Sequence, residues 1–292
     1  MKKNCIITSA SNKFFPSLLN LLGSIEKNYP NHPDVYVYNL GLFFTFKKEL
    51  QKIPWIHILE IPNFVSHWRS CYTWKTYILN KPLSKNNLYI DAGCQILKSL
   101  DDLFEKIESQ NYLAVSQGSD VNLRDITPKD YIQIYRLDNH TLKQQVITAG
   151  IFGFKDNSTI KDVTEELYIS GLNKLCLGFS SSELWKNKGI NKNDYIRDCK
   201  IFRHDTTLIS ILLRTKISNI NVEPINLFSS KLESSEQYIW NFRLNYKNLN
   251  FVKYNILNKK FNLYGIINRI FVYIFIFIKK ITNNIKQKCF HF

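Results

Sequence analysis

An apolar run that stops dead at a carboxylate limits what this chain can become. Asn87, Leu88, Tyr89 and Ile90 lead into Asp91, and Ala92 and Gly93 follow it. A run this apolar reads as a strand buried on both faces, which calls for a sheet covered by helices on each side. Open α/β sheets gather ligand groups at the C-terminal ends of such strands, and the small residues after Asp91 leave room for a ligand there. Asp91 is therefore a candidate binding or catalytic group. The other reading is that it only opens a turn and caps a helix near residues 100–106.

The pattern on either side agrees with such a sheet. Cys5, Ile6, Ile7 and Thr8 read as a buried strand, the polar turn Ser9, Ala10, Ser11, Asn12 follows, and residues 15–27 carry Leu18, Leu19, Leu21, Leu22 and Ile25 on one helical face. Asn31, His32 and Pro33 break that helix, and residues 34–40 alternate as a second strand. Further along, residues 46–51 predict a short helix, 55–61 a strand, 72–80 a helix, 88–91 the strand of the carboxylate and 112–116 another strand. Residues 145–154 form an apolar segment broken by Gly150 and Gly153, and glycine inside a strand marks close approach of backbone or ligand. Residues 162–169 and 205–214 predict amphipathic helices, and 217–222 a short late strand. Between them, residues 117–141 are polar with Tyr131, Ile132, Ile134 and Tyr135 as an apolar face; they read as a lid or acceptor loop, or as a solvated surface helix. This alternation predicts an α/β architecture with a mostly parallel central sheet and helices on both faces.

The charge narrows the partners. A formal charge of +15 points to anionic ones, such as phosphates, nucleic acid or an acidic lipid surface. Ten of the basic residues lie from residue 237 onward, where no acidic residue occurs. Six cysteines are scattered without CxxC pairing or zinc-ligand spacing, so the sequence indicates neither a disulfide framework nor a structural metal, and a reducing compartment fits. The basic start at Lys2 and Lys3 precedes an apolar run too short and polar for a signal peptide, which reads as the first strand.

Six segments, taken in order, resemble the nucleotide-sugar glycosyltransferases of GT-A fold, in particular the family 8 type and its relatives. They are Thr8-Ser9-Ala10-Ser11, YVYNLG from Tyr36 to Gly41, WKTYIL from Trp74 to Leu79, LYIDAG from Leu88 to Gly93, TAGIFGF from Thr148 to Phe154, and RHDTTL from Arg203 to Leu208. The likeness spans about residues 3–225. It implies a nucleotide-diphospho-sugar transferase fold over residues 1–250, followed by a basic apolar tail over residues 251–292.

The resemblance also assigns roles. It implies that Thr8, Ser9, Ala10 and Ser11 hold the donor's base and ribose, that Lys75 lies near the donor, and that Asp91, Ala92 and Gly93 stand at the acidic strand-end motif. That motif is usually Asp-x-Asp and carries a divalent cation, Mn²⁺ or Mg²⁺, that bridges the donor diphosphate. Here the second position is Gly93, so the two-carboxylate cage is missing; Asp91 is left to bind the metal with waters, to hold a sugar hydroxyl, or to do neither. Thr148, Ala149 and Gly150 resemble the family's Asn-Ala-Gly, where a small-residue bend lets the donor sugar lie against the backbone; a β-bulge in a core strand is the other reading. Asp205 falls on the first Asp of a segment that usually reads Asp-Gln-Asp, and serves as an N-cap, a sugar-hydroxyl acceptor or a catalytic base. Arg203 and His204 stand beside it as acceptor-binding candidates, His204 also as a metal ligand, and Asp91 paired with Asp205 forms the expected catalytic core. Trp68, in the aromatic stretch from Ser66 to Lys75, is suited to stacking on a sugar, or else belongs to the core.

In the tail, the uninterrupted apolar part, residues 270–278, is far shorter than the roughly 20 residues that span a bilayer. Flanked by Lys259, Lys260, Lys279 and Lys280, it reads as an interfacial segment drawn to anionic lipid, or as a final core element with a basic end. The expectation is a glycosyltransferase of the cytoplasm, peripheral at the inner face of a membrane, that takes a uridine diphosphate sugar to a saccharide or lipid-linked glycan. Two alternatives are a basic nucleic-acid or membrane-binding protein on an α/β scaffold and a catalytically inactive member of the fold. No RRM, zinc-finger or homeodomain pattern supports nucleic acid as a partner.

Overall fold

The computed structural model describes residues 3–118, 121–178, 199–231 and 234–241. Strands β1 (Asn4–Ala10), β2 (Val35–Asn39) and β3 (Ile56–Glu60) alternate with helices α1 (Phe15–Asn28) and α2 (Phe44–Gln51). Helix α3 (Thr73–Leu79) leads into β4 (Asn86–Ile90), which ends one residue before Asp91. There follow a two-residue strand β5 (Gln95–Ile96), helix α4 (Asp101–Gln110) and strand β6 (Tyr112–Ser116). Three short helices, α5 (Leu123–Ile126), α6 (Lys129–Ile134) and α7 (Asn139–Leu142), precede β7 (Ile147–Lys155). After β7 come α8 (Ser158–Leu172), α9 (Asp205–Lys216) and β8 (Ile239–Trp240), and short 3-10 turns lie at Asn12–Phe14, Leu175–Leu177 and Ile225–Phe228.

Six strands form one sheet in the order β3-β2-β1-β4-β7-β6, and β5 pairs with β8 in a second, two-stranded sheet. Strands β1 to β4 run parallel, and only β7 runs antiparallel to its neighbours β4 and β6. This is the mostly parallel sheet with helices on both faces that the alternating pattern predicts. After β1 the chain fills the sheet to one side through β2 and β3, then crosses to the other side of β1 for β4. The strand order therefore reverses between β1 and β4, the place where open α/β sheets keep a ligand crevice.

Successive strand residues face opposite sides, and the core divides accordingly. Cys5 and Ile7 of β1 pack with Tyr89 against α3, α8 and α9, whereas Ile6 and Ala10 pack with Leu88 and Ile90 against α1, α2 and α4. Strand β7 breaks this alternation. Its register with β6 runs through Ala114 and Phe152, and would bring Ser116 to Gly150, but Ser116 pairs with Ile147. Thr148, Ala149 and Gly150 thus bulge from the ladder, so the bulge and the small-residue bend are one feature.

The polar stretch 117–141 forms, where it is described, short helices with an exposed polar side, whose Leu123, Ile126 and Tyr131 are buried in the core. Short helices with one or two inward residues each carry too little periodicity to show this in sequence. One expectation is corrected. Residues 217–222 form no strand; Asn219 is left-handed, and the Asn221 N–H donates to the Tyr112 hydroxyl instead of a ladder partner. Just beyond it, Glu223 forms an isolated parallel bridge with Val115 of β6. The tail, residues 251–292, lies outside the described residues, and no helix among them is long and apolar enough to cross a membrane.

Candidate active site

The centre of the site is a buried lysine. Lys75 projects from α3 with a side chain 3 % exposed, and its Nζ lies 3.1 Å from Asp91 Oδ1, 2.8 Å from Asp205 Oδ2 and 3.1 Å from the Ala149 carbonyl. Four elements meet there: the end of β4, the β7 bulge, α3 and the first residue of α9. Asp91 and Asp205, far apart in sequence, are brought together by this one ammonium. Burial alone lowers the Lys75 pKa, but Asp205, Asp91 and Tyr89 raise it, and the net shift is well above the ordinary lysine value. Lys75 therefore stays charged.

A hydrogen-bond chain enters from β1. Tyr89 donates from its hydroxyl to Asp91 Oδ1 at 2.9 Å, so the Ser9 hydroxyl, 3.1 Å from the same oxygen, is the donor to Tyr89. Burial, then the Asp91 charge, hold the Tyr89 phenol well above its usual pKa and keep its proton in place. The Tyr89 and Tyr72 rings also flank the ammonium, 5.0 and 5.6 Å from Nζ. Tyr89 was missed in the sequence, although the signal is there: it stands two residues before Asp91 on one strand and so shares its face.

The backbone is arranged around Asp91. Its N–H donates to the Gly150 carbonyl at 2.8 Å, and its own carbonyl accepts from Cys94 N at 3.0 Å across the turn that holds Ala92 and Gly93. A Cβ on Gly150 would stand 3.1 Å from Asp91 Oδ2 and 3.5 Å from Thr148 Oγ1, so only glycine leaves that carboxylate its present position. Thr148 Oγ1 accepts from the Gly150 N–H at 3.2 Å, and Thr206 Oγ1 accepts weakly from the Ala149 N–H at 3.4 Å.

Both helices that deliver charge start from left-handed residues. Tyr72, at φ 62°, precedes α3, and His204, at φ 51° and ψ −116°, precedes α9. Non-glycine residues held there cost of order 1–3 kcal/mol each and collect at functional sites. His204 Nδ1 lies 2.9 Å from the Cys176 carbonyl, to which it donates. Its ring packs with Phe202 and Tyr72, at centroid distances of 5.2 and 6.0 Å.

The remaining expected site residues fall in different places. Thr8 is buried on the opposite face of β1 from Ser9, its hydroxyl without a hydrogen-bond partner; its side chain does not reach the cluster. Ala10 is buried on that same opposite face, and Ser11 begins the loop into α1, tied to the segment after β2 by the Asn12 N–H, which donates to the Gly41 carbonyl at 3.1 Å. Arg203 donates its backbone N–H to Thr207 Oγ1 at 3.1 Å, and its Nε is buried without a partner. Trp68 is 6 % exposed, donates its indole N–H to Asn63 and is covered by the Arg69 guanidinium 4.5 Å above its ring, so it packs as a core residue.

The carboxylates do not form the cage that the resemblance implies for a divalent cation. Gly93 contributes no oxygen from a side chain, Asp205 turns to Lys75, and among the described residues no group of three His, Cys, Asp or Glu could hold a metal.

No protein-family model and no curated protein matches the sequence. Among solved structures the fold is similar to a galactosyltransferase, LgtC, in complex with donor and acceptor sugar analogs, at 14 % identity and a TM-score of 0.47, over 77 % of this chain and 74 % of that one. It is also similar to the bifunctional glycosyltransferase WbbM, at 15 % identity and a TM-score of 0.49, over 88 % of this chain and 44 % of that one. A third is the apo form of the glycosyltransferase GlyE of Streptococcus pneumoniae TIGR4, at 12 % identity and a TM-score of 0.44, over 75 % and 45 %. The chain thus spans less than half the length of the WbbM and GlyE chains it resembles.

Proposed function

We propose that the chain is a glycosyltransferase that moves a sugar from a nucleoside diphosphate donor, a uridine diphosphate sugar, to a saccharide or lipid-linked glycan. The observation that carries this reading is the position of the charged cluster at the point where the strand order reverses. Ser9 of β1 and Asp91 after β4 meet there through Tyr89, with Lys75, Asp205 and the β7 bulge closing around them. A buried ammonium between two carboxylates is a costly way to stabilise a fold, because well-packed apolar groups do as well or better. Its presence at the strand C-termini, where the strand order reverses, supports a chemical role.

In this reading the β1 loop at Ala10 and Ser11 receives the nucleoside, the Ala149–Gly150 bulge lets the sugar lie against backbone, and Asp91 and Asp205 address its hydroxyls or the attacking group. Arg203 and His204, at the strained turn into α9, face the acceptor. The basic tail from residue 251 takes an anionic membrane surface as partner, which suits a lipid-linked acceptor.

Calorimetric titration of the full chain with uridine, guanosine and cytidine diphosphates tests the reading. Binding of one of them, with uridine diphosphate preferred, is the expected result. If none binds, while a single-stranded oligonucleotide binds with steep salt dependence, the basic nucleic-acid reading takes its place.

A further inference from the structure

An ammonium has three N–H groups to satisfy, and Lys75 has three acceptors for them in Asp205 Oδ2, Asp91 Oδ1 and the Ala149 carbonyl. Its side chain is almost wholly buried, so it has no route to solvent away from them. A divalent ion bridging the two carboxylates would sit about 2.0–2.6 Å from their oxygens, beside a fixed positive charge that cannot withdraw. The position that would bring a second carboxylate to the strand end is Gly93. The residues therefore do not fit a cation at this pair.

The charge of the cluster says what it does fit. One ammonium against two carboxylates leaves a single negative charge, which repels a diphosphate and favours neutral hydroxyl donors. Asp91 Oδ1 is occupied by Tyr89 and Lys75. Asp91 Oδ2 lies close against Gly150, where a Cβ would stand 3.1 Å from it, and the Asp91 side chain is 38 % exposed, which leaves this oxygen open to a ligand from the solvent side. An oxygen held this way, with its partner oxygen anchored twice, is a rigid acceptor.

We infer that Asp91, Lys75 and Asp205 form a metal-free sugar-hydroxyl site: Lys75 holds the carboxylates that a divalent ion would otherwise bridge, and Asp91 Oδ2 accepts a hydroxyl of the transferred sugar. The inference rests on the donor reading proposed above. The ionic requirement of the diphosphate is met away from this pair.

Calorimetry on the full chain and its Asp91→Asn variant, with uridine, guanosine and cytidine diphosphates in EDTA and in manganese chloride, separates the two ideas. The expected result is an affinity that differs by less than about threefold between EDTA and manganese, or a manganese gain that Asp91→Asn leaves intact. A gain of about tenfold or more that disappears in Asp91→Asn overturns the inference and leaves the donor reading standing. If no nucleotide binds in either condition, the donor reading itself falls and the inference goes with it. The hydroxyl is tested with uridine diphosphate glucose, galactose and N-acetylglucosamine: the sugar that adds affinity over the bare diphosphate should lose about tenfold in Asp91→Asn. No added affinity from any of the three, or an addition untouched by the substitution, overturns it. Circular dichroism checks that the variant is folded, and Asp91→Ser serves if it is not, since Asp205 still compensates Lys75.

Discussion

The same two strands, β4 and β7, carry a lysine–carboxylate network at each end, and the two are inverse. At one end a single lysine, Lys75, holds two carboxylates, Asp91 and Asp205. At the other a single carboxylate, Glu108 of α4, accepts from Lys85 at 2.7 Å, Asn86 at 2.9 Å and Lys155 at 3.2 Å. Asn86 and Lys155 are register partners, as are Ile90 and Ile151 at the Asp91 end. The geometry is comparable, but the burial is not: Lys75 is 3 % exposed, whereas Lys85 is 51 % and Glu108 33 % exposed. Water screens the second network, so it adds little and breaks cheaply. The first is desolvated, so losing its lysine strands the two carboxylates. The contrast separates a surface clasp from a site in which charge has been kept inside the protein at a cost.

The largest expected effect breaks the comparison at its buried end. Lys75→Met leaves Asp91 and Asp205 facing one another and should cost about 3–5 kcal/mol, read from urea denaturation. A loss no greater than that from a surface pair would make the two networks alike. Asp91→Asn sharpens the distinction. It should lower turnover of a uridine diphosphate sugar by about 10²–10³, while the melting temperature barely moves, because Asp205 still pairs with the lysine. An equally active variant would return Asp91 to the class of turn formers.

The two glycines of β7 give a smaller and cleaner test. At Gly153 a Cβ would stand 2.5 Å from Ile107 Cδ1 and 2.7 Å from Leu113 Cβ, so Gly153→Ala should cost stability, about 1–3 kcal/mol by overpacking. At Gly150 the nearest neighbour is the Asp91 carboxylate, so Gly150→Ala should spare stability and lower turnover. Reversed outcomes would place the functional bend at the wrong end of the strand.

The smallest effect concerns pH. The hydrogen bonds from Lys85, Asn86 and Lys155 lower the Glu108 pKa from 4.5 to about 2. Its contribution is present above 4.5 and is lost as pH falls through about 2, because the unfolded chain binds the proton first. Glu108→Gln should remove that part of the acid slope in a pH series of melting temperatures. Lys75 behaves oppositely. With its folded pKa raised above the ordinary 10.5, its contribution is complete below that value and persists beyond it, so Lys75 adds no slope at neutral pH.

Much of this was legible in the chain itself. The run from Asn87 to Gly93 is apolar because both faces of β4 are buried, and the same pattern marks Asp91 as standing where the burial ends. Alternation of strand and helix periods was enough to predict the parallel β1 to β4, since each strand must be covered on both sides. The failures have equally local causes. Residues 217–222 have strand-like composition, but the left-handed Asn219 interrupts the run and the Tyr112 hydroxyl takes the N–H that a ladder would use. Thr8 and Ser9 looked equivalent in sequence, yet a period of two sends one toward α1 and the other toward Tyr89.

What the sequence determined by itself was the order of elements, the sheet's buried strands and the identity of the charged groups at their ends, because hydrophobic period and chain punctuation are local properties. Only the tertiary structure decided that Lys75 would be the bridge between Asp91 and Asp205, and that Gly93 would leave the pair to an ammonium. That outcome depends on where α3 and α9 pack against β4 and the β7 bulge, and on the burial that removes water from Lys75. Long-range placement and desolvation are properties of the packed whole, and no stretch of residues read along the chain contains them.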